Sequence, residues 1–419
     1  MNLVRLFVLS VPTGKRTGSI LLRNAKAAQE SRRGQPTAPA DAVSSVSGLR
    51  AAEPAAEPNA SLPSRPGAGT AIAMALIDTL DQSSIQEPQE RMPSRNKANA
   101  VRSIPSLRVG VSSCLLGQPV RWDGRDKRHS LIAGLFAQHM DLVAVCPEVA
   151  IGLGVPRPPI MLVRRQGGVH AVTDSPERTD HSTPLVRLAG LVAREHPGLN
   201  GYIFKSKSPS CGLGSTPIHG ARGQATATGT GLFAQELLRR RPDLPVIEEE
   251  DLVHPARRGA FLDQVVAHAR WKQQPPGRRN AAALRDFHDA HRLALLARGG
   301  KAFAKMNTLL VEALTPPSEE GARAYIAGLI EALARPPSWS ALKRALAPLL
   351  QELHACLDAR RRSTLKRLLA APSRNLQVCS NLLIFLWNHV GECDHPGWRR
   401  QTLLCPHPVQ LAPWARGGN

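Results

Sequence analysis

The chain has 419 residues, enough for two or three domains, and 42% of them are hydrophobic, enough for a sizeable core. No apolar run reaches the roughly 18 residues that a membrane-spanning helix needs, and seven widely spaced cysteines argue against a secreted disulfide framework and favour a reducing, cytoplasmic location. The net charge of +21 fits either a polyanionic partner such as RNA or a solvated, arginine-rich surface, and no RNA-binding motif is visible.

Residues 1–105 are predicted to form a disordered extension. Segment 35–66 alternates Ala, Pro, Ser and Glu, a composition that cannot bury enough apolar surface to offset the entropy lost on ordering. The first acidic residue is Glu30, and five basic residues precede it, so the start resembles an organelle transit peptide. An extended or misassigned start of a cytosolic protein fits these residues equally well.

Residues 106–272 alternate strand-like and helix-like patterns. Short apolar runs predict strands over 107–111, 142–145, 201–204 and 244–247. Helical patterns fall around 130–139, 184–196, 232–240 and 260–271. Because strands that alternate with helices form βαβ units, we predict an α/β domain with an open parallel, Rossmann-like sheet and flanking helices.

Residues 280–419 show helical patterns only, which predicts an all-α C-terminal domain. Leu284, Phe287, His291 and Leu295 recur on one face of a helix. Further helices are expected over 323–334, 340–357 and 361–369, with breaks at the prolines in 316–320 and 336–337.

Three cysteines each follow the end of an apolar run: Cys114 in LRVGVSSCLLG, Cys146 in DLVAVCPE and Cys211 in GYIFKSKSPSCG. Because ligands bind outside the carboxyl edge of an open α/β sheet, the three sulfurs are expected to converge there. Three converging thiolates suit a soft metal or an iron–sulfur cluster. The alternative is that each cysteine packs as a small buried hydrophobe.

The segments around these cysteines resemble the thiouracil desulfurase family. The resemblance is carried by SSCLLGQPVRWDG (112–124), CPEVAIGLGVPRPP (146–159) and KSKSPSCG (205–212), followed in order by GTGLFAQELL (229–238) and LPVIEEEDL (244–252). It implies a [4Fe–4S] cluster held by Cys114, Cys146 and Cys211, with the fourth iron open to the sulfur of a thiolated nucleobase. The implied activity is that of a desulfidase, which removes sulfur from such a base or from a related small molecule.

Two further residues of these motifs are candidates for catalysis. Glu148 follows Cys146 by two residues and is placed to exchange protons as a general acid or base. Ser208 precedes Cys211 by three residues and is a candidate to position the water or the substrate. The alternative for Glu148 is a solvated or helix-capping role. The alternative for Ser208 is a simple turn role, and Ser210 is the rival candidate for the positioning role.

Two basic residues are weaker candidates for substrate binding. Lys205 is expected to offset the negative charge of the cluster or to meet a substrate phosphate. Arg157, held between Pro156 and Pro158, is expected to meet an anionic group or the edge of a base. The alternative is that these cations are simply solvated, as most exposed basic side chains are.

The C-terminal part resembles the helical domain of YbgA-like proteins. This resemblance is carried by LRDFHDAHRLALLA (284–297), YIAGLIEAL (325–333) and QTLLCPHPVQL (401–411). The chain departs from that pattern at Arg292, where the family has lysine, and at Arg298 and Gly299, where it has histidine and serine. Any chemistry that the histidine and serine perform in the family is therefore lost in this chain.

Three classes of function are consistent with the sequence. An iron–sulfur desulfidase is favoured by Glu148 and Ser208, which a redox sensor does not need. A non-enzymatic iron–sulfur protein that senses redox state or docks RNA is favoured by the charge of +21 and by the added helical domain. A cysteine-nucleophile transferase without a cluster is the third, although the Pro and Glu beside Cys146 offer little to lower the pKa of its thiol.

Overall fold

The computed structural model describes residues 9–10, 106–220, 223–370, 376–391 and 396–404, with the backbone alone at 9–10, 376–380 and 396. All of these residues belong to one compact unit. The predicted extension 1–105 lies outside the described residues, except for Leu9 and Ser10, which pair antiparallel with Ala144 and Val143. The end of the C-terminal resemblance, residues 405–411, also lies outside them.

The described residues form nine strands, most of them short. They are β1 (Leu9–Ser10), β2 (Arg108–Ser112), β3 (Asp141–Val145), β4 (Ile160–Arg165), β5 (Gly168–Thr173), β6 (Gly201–Phe204), β7 (Leu213–His219), β8 (Ala225–Thr230) and β9 (Val246–Glu248). Apart from the first residues of β2 and β3, every residue of β2, β3 and β6 is buried. This burial is typical of a parallel sheet that is covered on both faces.

The first sheet has the strand order β1–β3–β2–β6–β9. β2 runs parallel to both of its neighbours, with Val109 opposite Leu142 of β3 and opposite Gly201 of β6, and β9 runs parallel to β6. The predicted parallel sheet is thus confirmed, although its last strand begins two residues later than expected. Because the chain reaches β3 on one side of β2 and β6 on the other, a topological switch point lies at the carboxyl end of β2.

The second sheet is missing from the sequence prediction. Its order is β5–β4–β7–β8, in which two antiparallel hairpins join through parallel pairing of β4 with β7. β8 reads Ala-Thr-Ala-Thr-Gly-Thr and is largely exposed, so it lacks the apolar alternation by which a strand is recognised in a sequence. The connection from β6 to this sheet carries Cys211.

Twelve α-helices are described. They are α1 (Ala137–His139), α2 (Pro147–Ala150), α3 (Ser182–Glu195), α4 (Leu232–Arg240), α5 (Pro255–Gln273), α6 (Ala281–Leu296), α7 (Gly300–Ala313), α8 (Glu319–Leu333), α9 (Trp339–Cys356), α10 (Ala359–Ala370), α11 (Leu376–His389) and α12 (Pro396–Arg399). Shorter 3₁₀ turns cover Ser113–Leu116, Glu249–Val253 and Pro276–Arg278, and a π-helical turn covers Ile132–Phe136. None of the helices in this part of the chain is long and apolar enough to cross a membrane.

Apolar side chains cover both faces of the first sheet. On one face Val143, Tyr202 and Phe204 pack against α3 and α4. On the other face Val109 and Ile203 pack against α5. The predicted flanking helices over 184–196, 232–240 and 260–271 are confirmed as α3, α4 and α5.

The C-terminal helices share a third apolar core, so the all-α prediction is confirmed for the described residues. The core takes residues from each of α6 to α11, and α5 joins it through Ala267 and Trp271. Helix α7 is absent from the sequence prediction. Only Met306 and Ala313 of α7 are buried, so its apolar stripe is too weak to mark a helix.

Arg298, the residue that departs from the YbgA-like pattern, lies at the contact between α5 and the C-terminal helices. Its side chain is fully buried and its Nη2 lies 2.6 Å from Oδ2 of Asp263 on α5. Its other nitrogens donate to the carbonyl oxygens of Leu333 and Ala294. A second contact joins the same elements, because Gln264 Nε2 donates to the carbonyl of Ile330 at 2.7 Å. The arginine therefore fixes the helical domain to α5.

Candidate functional site

The three predicted cysteines lie at the carboxyl edge of the first sheet. Cys114 is in the 3₁₀ turn that follows β2 directly, and this turn ends at Gly117, whose φ of 89° favours glycine. Cys146 follows β3 and precedes α2, where Pro147 occupies the first helical position. Cys211 lies in the connection between β6 and β7. All three segments leave the sheet at the switch point.

One cavity of about 380 Å³ opens at this edge. It is lined by the residues proposed for the cluster, for catalysis and for substrate binding: Cys114, Cys146, Glu148, Arg157, Lys205, Ser208 and Cys211. A cavity of this size is at the lower end of the range for small-molecule sites. The structure therefore brings the candidate residues together at a place where a small ligand fits.

Cys114 and Cys211 are buried, Cys146 is half-buried, and the three thiols affect one another. Burial raises the pKa of Cys114 to about 12, with the neighbouring Cys146 adding to the rise. Burial also raises the pKa of Cys146, and that of Cys211 well above its ordinary value. A nucleophilic cysteine needs a lowered pKa, so this site does not suit the cysteine-nucleophile alternative. The raised pKa values do not oppose a metal, because a bound metal deprotonates the sulfurs that bind it.

The donor set fits an iron–sulfur cluster better than a single ion. Within the described ranges, no group of three or more His, Cys, Asp or Glu side chains is placed to hold one metal ion. In a cluster, each cysteine binds a different iron, so the thiols need not meet at one point. Tyr202 adds a second sign, since its buried hydroxyl has no hydrogen-bond partner among the described residues, and the three thiols add to the rise that burial causes in its pKa.

Glu148 lies in the first turn of α2 and is held by two donors. Arg157 donates to its Oε2 from Nη2 at 2.6 Å and from Nε at 3.0 Å. Ser210 donates from Oγ to Oε1 at 3.1 Å. The Glu148 side chain is 13% exposed and the Arg157 side chain 6%, so solvent screens this ion pair little. The carboxylate is therefore fixed at the cavity wall and is not a solvated loop residue.

Arg157 uses its remaining donors on the backbone. Its Nη1 donates to the carbonyl of Gly154 and its Nη2 to the carbonyl of Val120, each at 3.0 Å. The same Val120 carbonyl accepts from the Cys146 thiol at 3.7 Å. These contacts make Arg157 a support for Glu148, a role that its position between two prolines does not reveal in the sequence.

Ser208 shapes the turn that carries Cys211. Its Oγ accepts from the backbone N–H groups of Ser210 and Cys211, at 3.3 and 3.2 Å. Its carbonyl accepts from Thr216 Oγ1 and from the N–H of Gly212. The side chain that contacts Glu148 is that of Ser210, the rival that the sequence left open.

Lys205 is paired with Glu249, a residue that the sequence analysis missed. The Lys205 ammonium contacts Glu249 Oε1, and Glu249 Oε2 accepts from the N–H of Ser206 at 2.6 Å. Lys205 also acts as a cation near the Cys114 thiol and lowers its pKa against the effect of burial. The acidic run EEED after the last strand was the available signal for Glu249.

The N-terminus of α4 supports the turn that carries Cys211. Leu232 N–H donates to Pro209 O and Ala234 N–H donates to Ser210 O. Gly231, just before α4, approaches so closely that a Cβ on it would lie 2.4 Å from the carbonyl carbon of Ser210. Only glycine fits this approach, which explains why GTGL follows the cysteine motif.

Trp122 lies on the cavity wall with 45% of its surface exposed. Its turn is closed by the hydrogen bond from Gly124 N–H to Arg121 O at 3.0 Å, and its carbonyl accepts from the N–H of Arg157 at 2.9 Å. The indole is therefore an aromatic surface on a braced turn beside the cysteines. In the sequence, Trp122 belongs to the motif that carries Cys114 and has no signal of its own.

Comparison with known proteins matches two separate segments of the chain to two different families. Residues 109–250 match the family described as 2-thiouracil desulfurase, and residues 292–408 match a family described as a protein of unknown function, DUF1722. The comparison with curated proteins finds no match. A solved structure of the [4Fe–4S]-dependent thiouracil desulfidase TudS is 37% identical, with 35% of this chain and 93% of that chain covered and a TM-score of 0.29. Because of the family match and this sequence identity over nearly the whole of TudS, the chain belongs to the 2-thiouracil desulfurase family.

Proposed function

We propose that the protein is a desulfidase that replaces the sulfur of a thiolated uracil-type base with oxygen. Water supplies the oxygen, the sulfur leaves as sulfide, and the base undergoes no net redox change. The observation that carries this proposal is that three cysteines and Glu148 line one cavity at the switch point of the sheet. The TudS protein, which is 37% identical over 35% of this chain, is a thiouracil desulfidase.

The cofactor that we propose is a [4Fe–4S] cluster held by Cys114, Cys146 and Cys211. With three protein ligands, such a cluster keeps one iron free to bind the soft thiocarbonyl sulfur as a Lewis acid. Support comes from the three cysteines that line one cavity and from the [4Fe–4S] dependence of TudS. The cysteines of the described residues are free, and free thiols fit the proposed reducing, cytoplasmic location.

We assign the proton transfers to Glu148. Its Oε2 accepts hydrogen bonds from Arg157, and its Oε1 accepts a hydrogen bond from Ser210. Oε1 therefore keeps a lone pair that can take a proton from the attacking water. Arg157 and Ser210 hold the carboxylate in one position, which lowers the entropy lost on reaching the reactive geometry. Ser208 holds the backbone of the Cys211 turn.

We propose that the substrate base stacks on the Trp122 indole. An exposed indole on a rigid turn offers a flat surface on which a pyrimidine stacks, and stacking of this kind contributes about 1–3 kcal/mol per base. Lys205 is paired with Glu249, so we expect it to adjust the charge near Cys114 and not to carry the main contact to a phosphate.

The alternative proposal is a non-enzymatic iron–sulfur protein that senses redox state or docks RNA. Helix α10 favours RNA, because five cations on it are exposed: Arg360, Arg361, Arg362, Lys366 and Arg367. A phosphate backbone attracts such a surface whatever the base sequence. The Arg157–Glu148–Ser210 arrangement in the cavity favours the enzyme, since neither sensing nor docking requires it.

The experiment is an anaerobic assay of sulfide release. The reconstituted full chain is given 2-thiouracil, 4-thiouracil and the corresponding nucleoside monophosphates, and sulfide and the oxo product are counted. Equal amounts of sulfide and oxo product from any of them support the desulfidase. A cluster-loaded protein that releases no sulfide from all of them, and that shifts labelled RNA in low salt, supports the alternative.

A further inference from the structure

Tyr202 of β6 carries a buried hydroxyl without a partner. The residue is fully buried, and its hydroxyl oxygen has no hydrogen-bond partner among the described residues. Leaving a buried hydroxyl unpaired costs about 1–3 kcal/mol, so such groups are rare in folded proteins. A phenylalanine would fill the same space without this penalty.

The ring of Tyr202 is held so tightly that the hydroxyl cannot move to a partner elsewhere. It stacks on Phe204 with centroids 4.1 Å apart and an angle of 20°, and it meets Phe233 edge-on at 6.1 Å. It also lies over Gly110 of β2, where a Cβ would be 2.2 Å from Tyr202 Cδ2. Glycine at this position therefore leaves room for the ring, and the position of the hydroxyl follows from the packing.

Tyr202 packs in the same buried core as Cys211, one of the three proposed ligands. Beside burial, Cys211, Cys146 and Cys114 contribute to the raised pKa of its hydroxyl. A phenol hydroxyl is an O–H donor. A neutral thiol is a weak acceptor, whereas a thiolate or sulfide bound to iron carries negative charge and accepts a hydrogen bond.

We propose that the Tyr202 hydroxyl donates a hydrogen bond to a sulfur of the cluster that Cys114, Cys146 and Cys211 hold, and thereby raises its reduction potential. The inference rests on the cofactor of the proposed function. Hydrogen bonds to cluster sulfurs are among the factors that set the potential, because the donor stabilises the more negative, reduced state. Tyr202 is thus a tuning residue that touches the cofactor and no substrate.

The test uses the two tyrosines of the chain, Tyr202 and Tyr325. Tyr325 is a matched control, since it is equally buried and its hydroxyl already contacts His288 Nδ1 at 2.9 Å. Wild type, Tyr202→Phe and Tyr325→Phe are reconstituted anaerobically as full chains, their iron is counted, and their potentials are measured by redox titration followed by electron paramagnetic resonance. We expect the iron count to be the same in all three and the potential to be more negative in Tyr202→Phe alone.

A second variant keeps the inference testable if Tyr202→Phe does not fold. In the Tyr325→Phe background, 3-fluorotyrosine labels Tyr202 alone and makes its hydroxyl a stronger donor, so the potential should rise. If the wild type binds a cluster and its reduction potential is unchanged by phenylalanine or by fluorotyrosine at position 202, the inference is overturned and the proposed function is unaffected. A wild type that binds no iron overturns both.

Discussion

Replacing Gly231 with alanine should dislodge the turn that carries Cys211. The added Cβ would lie 2.4 and 2.6 Å from the carbonyl carbon and oxygen of Ser210 and 2.7 Å from the amide nitrogen of Cys211. These are backbone atoms, so they cannot move aside by a change of rotamer. The φ of −60° at Gly231 is open to any residue, so the effect is steric and involves no backbone strain.

The expected loss combines two contributions. Overpacking of a well-packed site costs about 1–3 kcal/mol. The hydrogen bond from Gly231 N–H to Gly212 O, 2.8 Å long, would weaken as the segments separate, and it contributes about 1 kcal/mol. We therefore expect Gly231→Ala to lower the free energy of unfolding by about 2–4 kcal/mol and to release iron to a chelator faster than wild type.

The assay is urea unfolding of the metal-free chain, followed by the rate of iron loss from the reconstituted chain. Gly198→Ala is the matched control, because this glycine is exposed and a Cβ on it meets nothing within 4 Å. We expect the control to change stability by less than about 1 kcal/mol. If Gly231→Ala unfolds and retains iron as the control does, α4 does not support the cysteine turn as argued.

Two further substitutions test the assignments in the cavity. Glu148→Gln keeps the size of the side chain but cannot exchange a proton, so it should keep the cluster spectrum and lose turnover roughly 10²–10⁴-fold. The control, Glu331→Gln at an exposed position, should leave turnover unchanged. A Glu148→Gln variant with full turnover would remove Glu148 from the mechanism. Trp122→Ala should weaken binding of both the thiolated base and its oxo product by about 5-fold to 150-fold, which is the equivalent of a stacking contribution of about 1–3 kcal/mol. Trp122→Phe should restore most of the affinity. Equal affinities for wild type and Trp122→Ala would show that the base does not stack there.

The sequence was most informative where burial on both faces leaves a simple pattern. The strands β2, β3 and β6 are continuous apolar runs, so they could be predicted, and the topology then required Cys114, Cys146 and Cys211 to meet at one edge. The second sheet escaped prediction because its exposed strand β8 has no apolar period. Helix α7 was not predicted because only two of its residues are buried, so its apolar stripe is weak.

Within the site, the sequence identified which segments meet but not which side chains touch. Ser208 and Ser210 are two positions apart in the same turn, and only folded geometry puts Ser210 Oγ on Glu148. Glu249 and Lys205 are 44 residues apart, so their ion pair carries no local signal. The unpaired hydroxyl of Tyr202 likewise depends on packing against Gly110, which no spacing along the chain reveals.

The central claim is that Cys114, Cys146 and Cys211 hold a four-iron cluster in this cavity. The most direct measurement is the iron and acid-labile sulfide content of the anaerobically reconstituted full chain, beside serine variants at each of the three positions. Cys356→Ser serves as the control, because Cys356 is exposed and lies on α9 away from the cavity lining. We expect about four irons and four sulfides per chain in wild type and in the control, and loss of the cluster in each of the three variants. A wild type without iron and sulfide, or a cluster that survives all three substitutions, would contradict it.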